Sequence, residues 1–192
     1  GKPYLISIRT EDVSCFVFWS KNYSPFMKYL SDLAKLGYNF YFNFTITGLP
    51  EKYELNLCPT QEAVDTLKKL SQIYSPMHIN WRYDPILMSQ ETDYNFHIQN
   101  FSDLASKFKG HVKRCYFSFP IFYNKVKKQF SSFEEKHRIT ILDPDEEKKI
   151  KLANDLSDIA LSNGIRMYTC CGNYLINENI YKASCIDGDV IA

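Results

Sequence analysis

One pattern restricts what this chain can become: segments that read as strands alternate with segments that read as helices along most of its length. SCFVFWS (14–20), NFYFNFTIT (39–47), HINWRYDPI (78–86), VKRCYFSFP (112–120) and IRMYTC (165–170) are β-rich runs. Between them apolar side chains recur at helical spacing, as Phe26, Leu30 and Leu33, then Val64, Leu67, Leu70 and Ile73. The same spacing returns in Ile98, Phe101, Ala105 and Phe108, and again in Leu152, Leu156 and Ile159. Ser24-Pro25, Thr60 and Asp143-Pro144 are expected to open helices, and Gly37, Gly110 and Gly164 to close them. Val126, Phe130 and Phe133 form a less regular helical stretch, and the residues after the fifth strand give no clear reading.

Strands that alternate with helices in this way pair in parallel through right-handed crossovers. Two architectures satisfy that rule, an open doubly wound sheet and part of a (βα) barrel. No GxGxxG or GxxxxGK[ST] follows a strand, which weakens the nucleotide-binding forms of the first. The strand faces favour the second. Phe40, Phe42, Phe44 and Ile46 share one face of their strand, while Tyr41, Asn43, Thr45 and Thr47 share the other. Ile79, Trp81 and Tyr83 likewise oppose Asn80, Arg82 and Asp84. A parallel sheet covered by helices on both sides is apolar on both. Strands polar on one face call for a wet or functional lumen, so the expected fold is α/β, a partial (βα) barrel of parallel strands. Residues 1–192 are expected to form a single incomplete barrel domain.

Composition sets the outer limits. With 192 residues, 45% of them hydrophobic, the chain can bury a core unaided and is not disordered. A formal net charge of +1 lacks the basic excess of a dedicated nucleic-acid binder. No apolar run approaches the roughly 18 residues of a membrane span. Cys15, Cys58, Cys115, Cys170, Cys171 and Cys185 show no CxxC and no zinc-type spacing with histidine, so no metal site is expected from them. The opening residues lack the features of a signal peptide. A reducing cytoplasm with free thiols is the expected setting. The absence of an initial Met and the stop at GDVIA suggest a fragment with sequence missing at both ends.

Arg82 and Asp84 are the sharpest chemical signal. Two apart on a strand, they point the same way at its C-terminal end, where sites of such folds gather. Arg82 is suited to grip a carboxylate or phosphate, and Asp84 to act as base or orienter. The plain alternative is a structural ion pair. Asn43, Thr45 and Thr47, with Asn80, would extend that polar surface as ligand-binding groups. Trp19 and Lys21 share a face at the end of the first strand, Lys21 over the pocket mouth and Trp19 as its wall; a solvated lysine is the alternative. Ser118 lies in no GxSxG elbow and is expected to line the pocket rather than to act as nucleophile. Of Cys170 and Cys171, one should face the lumen, and Cys170 is counted among the catalytic candidates. The histidines His78, His97, His111 and His137 show no metal spacing. Lys125, Lys127 and Lys128 form a local basic run that reads first as a solvated face.

Several of these segments together resemble a bacterial family of unknown function, DUF1848: VFWSKN (17–22), YFNFTIT (41–47), INWRYDPI (79–86), YFSF (116–119), YTCC (168–171) and SCIDG (184–188). The resemblance implies a radical S-adenosylmethionine protein of the spore photoproduct lyase type, with a partial six-stranded barrel of which about five units are present here. It further implies S-adenosylmethionine and a [4Fe-4S] cluster as cofactors, a preceding SRRTD-like stretch, and cluster cysteines near the C-terminal end. No CxxxCxxC occurs in these residues, so the cluster ligands are expected outside them. The leading functional expectation is thus the barrel portion of a radical S-adenosylmethionine-like enzyme with a small-molecule substrate. The alternative is a cluster-free barrel protein that binds an anionic small molecule through Arg82 and Lys21. A nucleic-acid partner ranks last, and no membrane partner is expected.

Overall fold

The five expected strands form, and they lie side by side in the order in which the chain makes them. A computed structural model describes residues 5–184, 186 and 188. Its strands are β1 (Phe16–Ser20), β2 (Phe40–Thr45), β3 (Ile79–Tyr83), β4 (Met88–Ser89), β5 (Arg114–Phe117), β6 (Ile141–Leu142), β7 (Arg166–Thr169) and β8 (Ile180–Lys182). The helices are α1 (Met27–Lys35), α2 (Thr60–Tyr74), α3 (Tyr94–Phe108), α4 (Asn124–His137) and α5 (Glu146–Ser162). The main sheet has six strands in the order β1-β2-β3-β5-β7-β8, every ladder parallel. It contains one strand more than the five expected. β8 escaped because its three residues, IYK, follow a polar NEN and are too short for a periodic signal.

A sheet that always grows in one direction sends each right-handed crossover over the same side. Phe40, Phe42, Phe44 and Ile46 of the β2 segment, with Ile79, Trp81 and Tyr83 of β3, accordingly share one apolar core with helical Leu30, Val64, Leu67, Leu104, Phe108, Leu152 and Leu156. Aromatic rings fill most of this layer. Trp81 is stacked on Phe101 at 4.8 Å and meets Phe108 edge-on at 5.0 Å, while its indole Nε1 donates to the Ile46 carbonyl at 2.8 Å. Burying one such side chain stabilises the fold by about 2–3 kcal/mol. The protein is therefore an α/β fold around a mostly parallel sheet. β1 and β8 stand at its edges, and no ladder joins them among the described residues.

The α4 region departs from the repeat. α4 buries none of its residues, and Phe130 and Phe133 pack instead on a small separate cluster of Leu49, Leu87 and Ile141. β4 and β6 pair antiparallel beneath it. Helix openings also differ from expectation. α1 begins at Met27, after a turn, because the Ser24 hydroxyl is engaged with Glu62 and Thr66 at 3.0 Å rather than capping. Thr60 is the first helical residue of α2 and provides no capping bond. α5 is capped by Asp145, which accepts from the Lys148 amide at 2.9 Å, and not by Asp143. No described helix is long and apolar enough to cross a membrane.

Candidate functional site

The second face of the main sheet is built in levels, because partners in a parallel ladder point the same way. Trp19, Asn43, Asn80 and Arg114 occupy one level across β1, β2, β3 and β5. Thr45, Arg82, Tyr116, Tyr168 and Tyr181 occupy the next, from β2 to β8. Two residues further along the same strands stand Thr47, Asp84, Ser118 and Cys170.

Arg82 is the centre of this face. Only 9% exposed, its Nη2 donates to Asp84 at 2.5 Å and to the Cys170 sulphur at 3.3 Å. The Ser118 hydroxyl donates to the other Asp84 oxygen, so the carboxylate is held from two sides. The Arg82 carbon Cζ lies 5.8 Å from the Tyr116 ring, and Tyr116 stacks on Tyr168 at 5.2 Å. Burial opposes the Arg82 charge, but negative charge at Cys170 and Asp84 outweighs it and holds the guanidinium above its ordinary pKa. The Asp84–Pro85 peptide is cis.

One level below, the Asn80 amide donates to the Tyr41 hydroxyl at 2.7 Å and to Asn43 Oδ1 at 3.1 Å. Arg114 Nη1 reaches the same Tyr41 hydroxyl at 3.4 Å and the Met77 carbonyl at 3.3 Å. Among the described residues, three buried polar atoms on this face have no hydrogen-bond partner: Asn43 Nδ2, Asn80 Oδ1 and Arg82 Nη1. Exchanging O and N in both amides leaves one donor and one acceptor unpaired all the same. Three such atoms on one face form an unfinished polar network, in which each unmade bond costs about 1–3 kcal/mol.

The structure thus brings together Asn43, Asn80, Arg82, Asp84, Ser118 and Cys170. Of the wet or functional lumen expected, the level of Asn43 and Asn80 is dry, since both are fully buried, whereas Thr45, Asp84, Ser118 and Cys170 are half-buried. Thr45, Thr47 and Lys21 line a neighbouring cavity of about 290 Å³ with Glu54, Cys58 and Thr60. There Lys21 pairs with Glu54, which also accepts from the Thr47 hydroxyl at 2.5 Å. Trp19 stands at the β1 edge and is 48% exposed. Of the adjacent cysteines, Cys170 is on the polar face and Cys171 is exposed. Cys185 lies outside the described residues. Lys125, Lys127 and Lys128 are all exposed on α4.

Sequence reasoning missed three participants. Tyr41 was legible as a member of the polar face of its strand, but nothing marked its hydroxyl as the meeting point of Asn80 and Arg114, and Arg114 showed only as part of a local basic cluster. Glu54 carried no signal, because it is 33 residues from Lys21 in the chain. His97 lies apart from this face. It is buried, with Nδ1 at 2.8 Å from the Tyr83 hydroxyl and Nε2 at 3.1 Å from the Leu87 carbonyl. Burial pushes its pKa down to about 4, so it is a neutral structural histidine at pH 7.

No group of three or more His, Cys, Asp or Glu side chains that could hold a metal gathers among the described residues. None of the five described cysteines forms a disulfide. The donor set of the described residues does not fit an iron–sulphur cluster. The polar face leaves a guanidinium nitrogen, an amide donor and an amide acceptor unmatched. No curated protein matches the chain. The family model described as Domain of unknown function (DUF1848) matches residues 2–192, and the chain belongs to that family.

Proposed function

We propose that the chain is the barrel portion of an enzyme that holds a small anionic molecule on the polar face of its sheet, in the manner of a partial (βα) barrel of the radical S-adenosylmethionine type. The observation that carries this reading is the set of three buried atoms without partners, Arg82 Nη1, Asn43 Nδ2 and Asn80 Oδ1. A ligand offering an anion beside a donor would restore those bonds and recover part of the cost of burying them. The sequential parallel strands support the same reading. Arg82, Asp84, Ser118 and Cys170 sit at or just beyond the C-terminal ends of their strands, where barrel sites form.

S-adenosylmethionine suits this donor set through its amino-acid end. Its carboxylate matches Arg82, and its ammonium matches Asp84 or the Asn80 carbonyl oxygen. Bound there, it would supply an activated carbon on a sulfonium sulphur. Cys170 and Ser118 flank the position, and a cytoplasmic setting keeps the thiol reduced. The reading in which Arg82 and Lys21 grip one anion together has less support, because Lys21 is engaged by Glu54 in the adjoining cavity.

Calorimetric titration with S-adenosylmethionine, and separately with inorganic phosphate, tests the proposal. Saturable binding is expected, weakened about a hundredfold by Arg82→Gln, a change equal to losing a charge-assisted hydrogen bond of about 3 kcal/mol. Absence of binding to either compound, or equal affinity in a folded Arg82→Gln protein, would refute it.

A further inference from the structure

We propose that the cavity beside Lys21 and Glu54 is a second binding site, which takes the cis-diol of a ribofuranose ring; it is separate from the Arg82 centre and stands whether or not that centre binds a ligand. The cavity lies past the ends of β1 and β2, against the start of α2. It encloses about 290 Å³, near the lower end of the range of small-molecule pockets, about 300–1,000 Å³.

Its polar groups are placed in a particular way. Lys21 and Glu54 are in direct contact, with 41% of the lysine side chain exposed and 12% of the glutamate side chain. The carboxylate is thus nearly enclosed, and the Thr47 hydroxyl holds its second oxygen at 2.5 Å. The ammonium has three N–H donors and uses one on Glu54, which leaves two for a ligand. The Thr45 and Thr60 hydroxyls also line the cavity and have no hydrogen-bond partner among the described residues. Leu57 and Pro59 add an apolar wall.

Charge and spacing narrow the class of ligand. The lining carries one cation, Lys21, against two carboxylates, Glu51 and Glu54, which disfavours an anion. An organic cation would have to displace Lys21 from Glu54. A donor touching an acceptor is the complement of two adjacent hydroxyls, one donating to the carboxylate while the other accepts from the ammonium. The cis-diol of a furanose holds two such oxygens side by side on one face of the ring. Its C–H groups are left for Leu57 and Pro59.

The cavity floor is already fixed. Asn100 donates to the Thr47 carbonyl at 2.7 Å, and the Trp81 indole donates to the Ile46 carbonyl at 2.8 Å. Between them Gly48 takes the left-handed conformation, where a Cβ would lie 2.3 Å from Asn100 Oδ1. A floor held this firmly has little left to order on binding.

Cys58 lines the cavity and reports on it, while the exposed Cys171 lies outside it. Burial and the nearby Glu62 raise the Cys58 thiol above its ordinary pKa, so alkylation by iodoacetamide is run at one mildly alkaline pH and read by peptide mass spectrometry. Methyl β-D-ribofuranoside or adenosine at about ten times its Kd should slow Cys58 about tenfold and leave Cys171 unchanged. The matching 2-deoxy compounds should need about tenfold higher concentrations or more, because the missing hydroxyl bonds a charged group. Protection by the furanoside assigns the site to a free sugar, and protection by adenosine alone assigns it to a nucleoside. Glu54→Gln, or Lys21→Met where the first fails to fold, should weaken protection about tenfold. No protection by either compound, or equal protection by the deoxy partners, would overturn the proposal. Arg82 does not line the cavity, so a folded Arg82→Gln protein should keep the protection; its loss there would remove the second site and leave the Arg82 centre alone.

Discussion

The two faces of one sheet are built on opposite terms. On the outer face Trp81, Phe42, Phe44 and Phe117 are buried against helices, and the one polar atom of Trp81 is satisfied by the Ile46 carbonyl. On the inner face Asn43, Asn80 and Arg82 are equally buried, yet each leaves a polar atom without a partner. Apolar packing explains the first face completely. The second keeps polar groups where a hydrophobic replacement would be easier to accommodate, a feature the proposed binding role accounts for.

Substitutions should separate the two faces. Trp81→Ala removes a ring stacked on Phe101, and should lower unfolding free energy by about 3–5 kcal/mol in denaturant titration. A loss below about 1 kcal/mol would mean that the outer face is not the principal core.

Acid should act on the outer side as well. His97 is neutral in the folded protein, with its pKa pushed down to about 4, whereas an unfolded histidine titrates near 6.5. The unfolded chain therefore binds more protons between those values. The stabilisation is complete above about pH 6.5 and is lost as pH falls toward 4, by about 3 kcal/mol in all. Unfolding midpoints measured from pH 7 to 4 should flatten in His97→Gln; parallel curves would remove His97 as the cause.

Smaller effects sharpen the comparison. Asp93 accepts from the Phe96 amide at 2.8 Å and caps α3. Asp93→Ala should cost about 1 kcal/mol of stability with ligand affinity unchanged. Asn43→Leu should cost about 1 kcal/mol or less, because one of its polar ends has nothing to lose, while weakening S-adenosylmethionine binding about tenfold. A large stability loss from Asn43→Leu with intact binding would reverse the roles given to the two faces.

How much of this was legible follows from distance along the chain. The alternation of Phe42 and Asn43, or of Trp81 and Arg82, is local, so both faces of β2 and β3 could be read directly. The proximity of Arg82 and Asp84 was equally local. Cys170 joins Arg82 across 88 residues, and Glu54 joins Lys21 across 33, so no spacing announced either contact. Dryness was illegible for a related reason. Asparagines on a strand suggest water, and only the assembled sheet shows Asn43 and Asn80 enclosed with Tyr41 and Arg114. The β4–β6 pair has two residues on each side, below any periodic signal. S-adenosylmethionine is implied by the family resemblance and by no local pattern of residues.

Side-chain nitrogen NMR during titration with S-adenosylmethionine offers the most direct test, because it reads both faces in one spectrum. The Asn43 amide and Arg82 guanidinium signals should move with a common saturation curve, while the Trp81 indole signal stays in place. Inner-face signals that remain fixed at saturating ligand, or that move no more than the Trp81 signal, would contradict a ligand centre on this sheet.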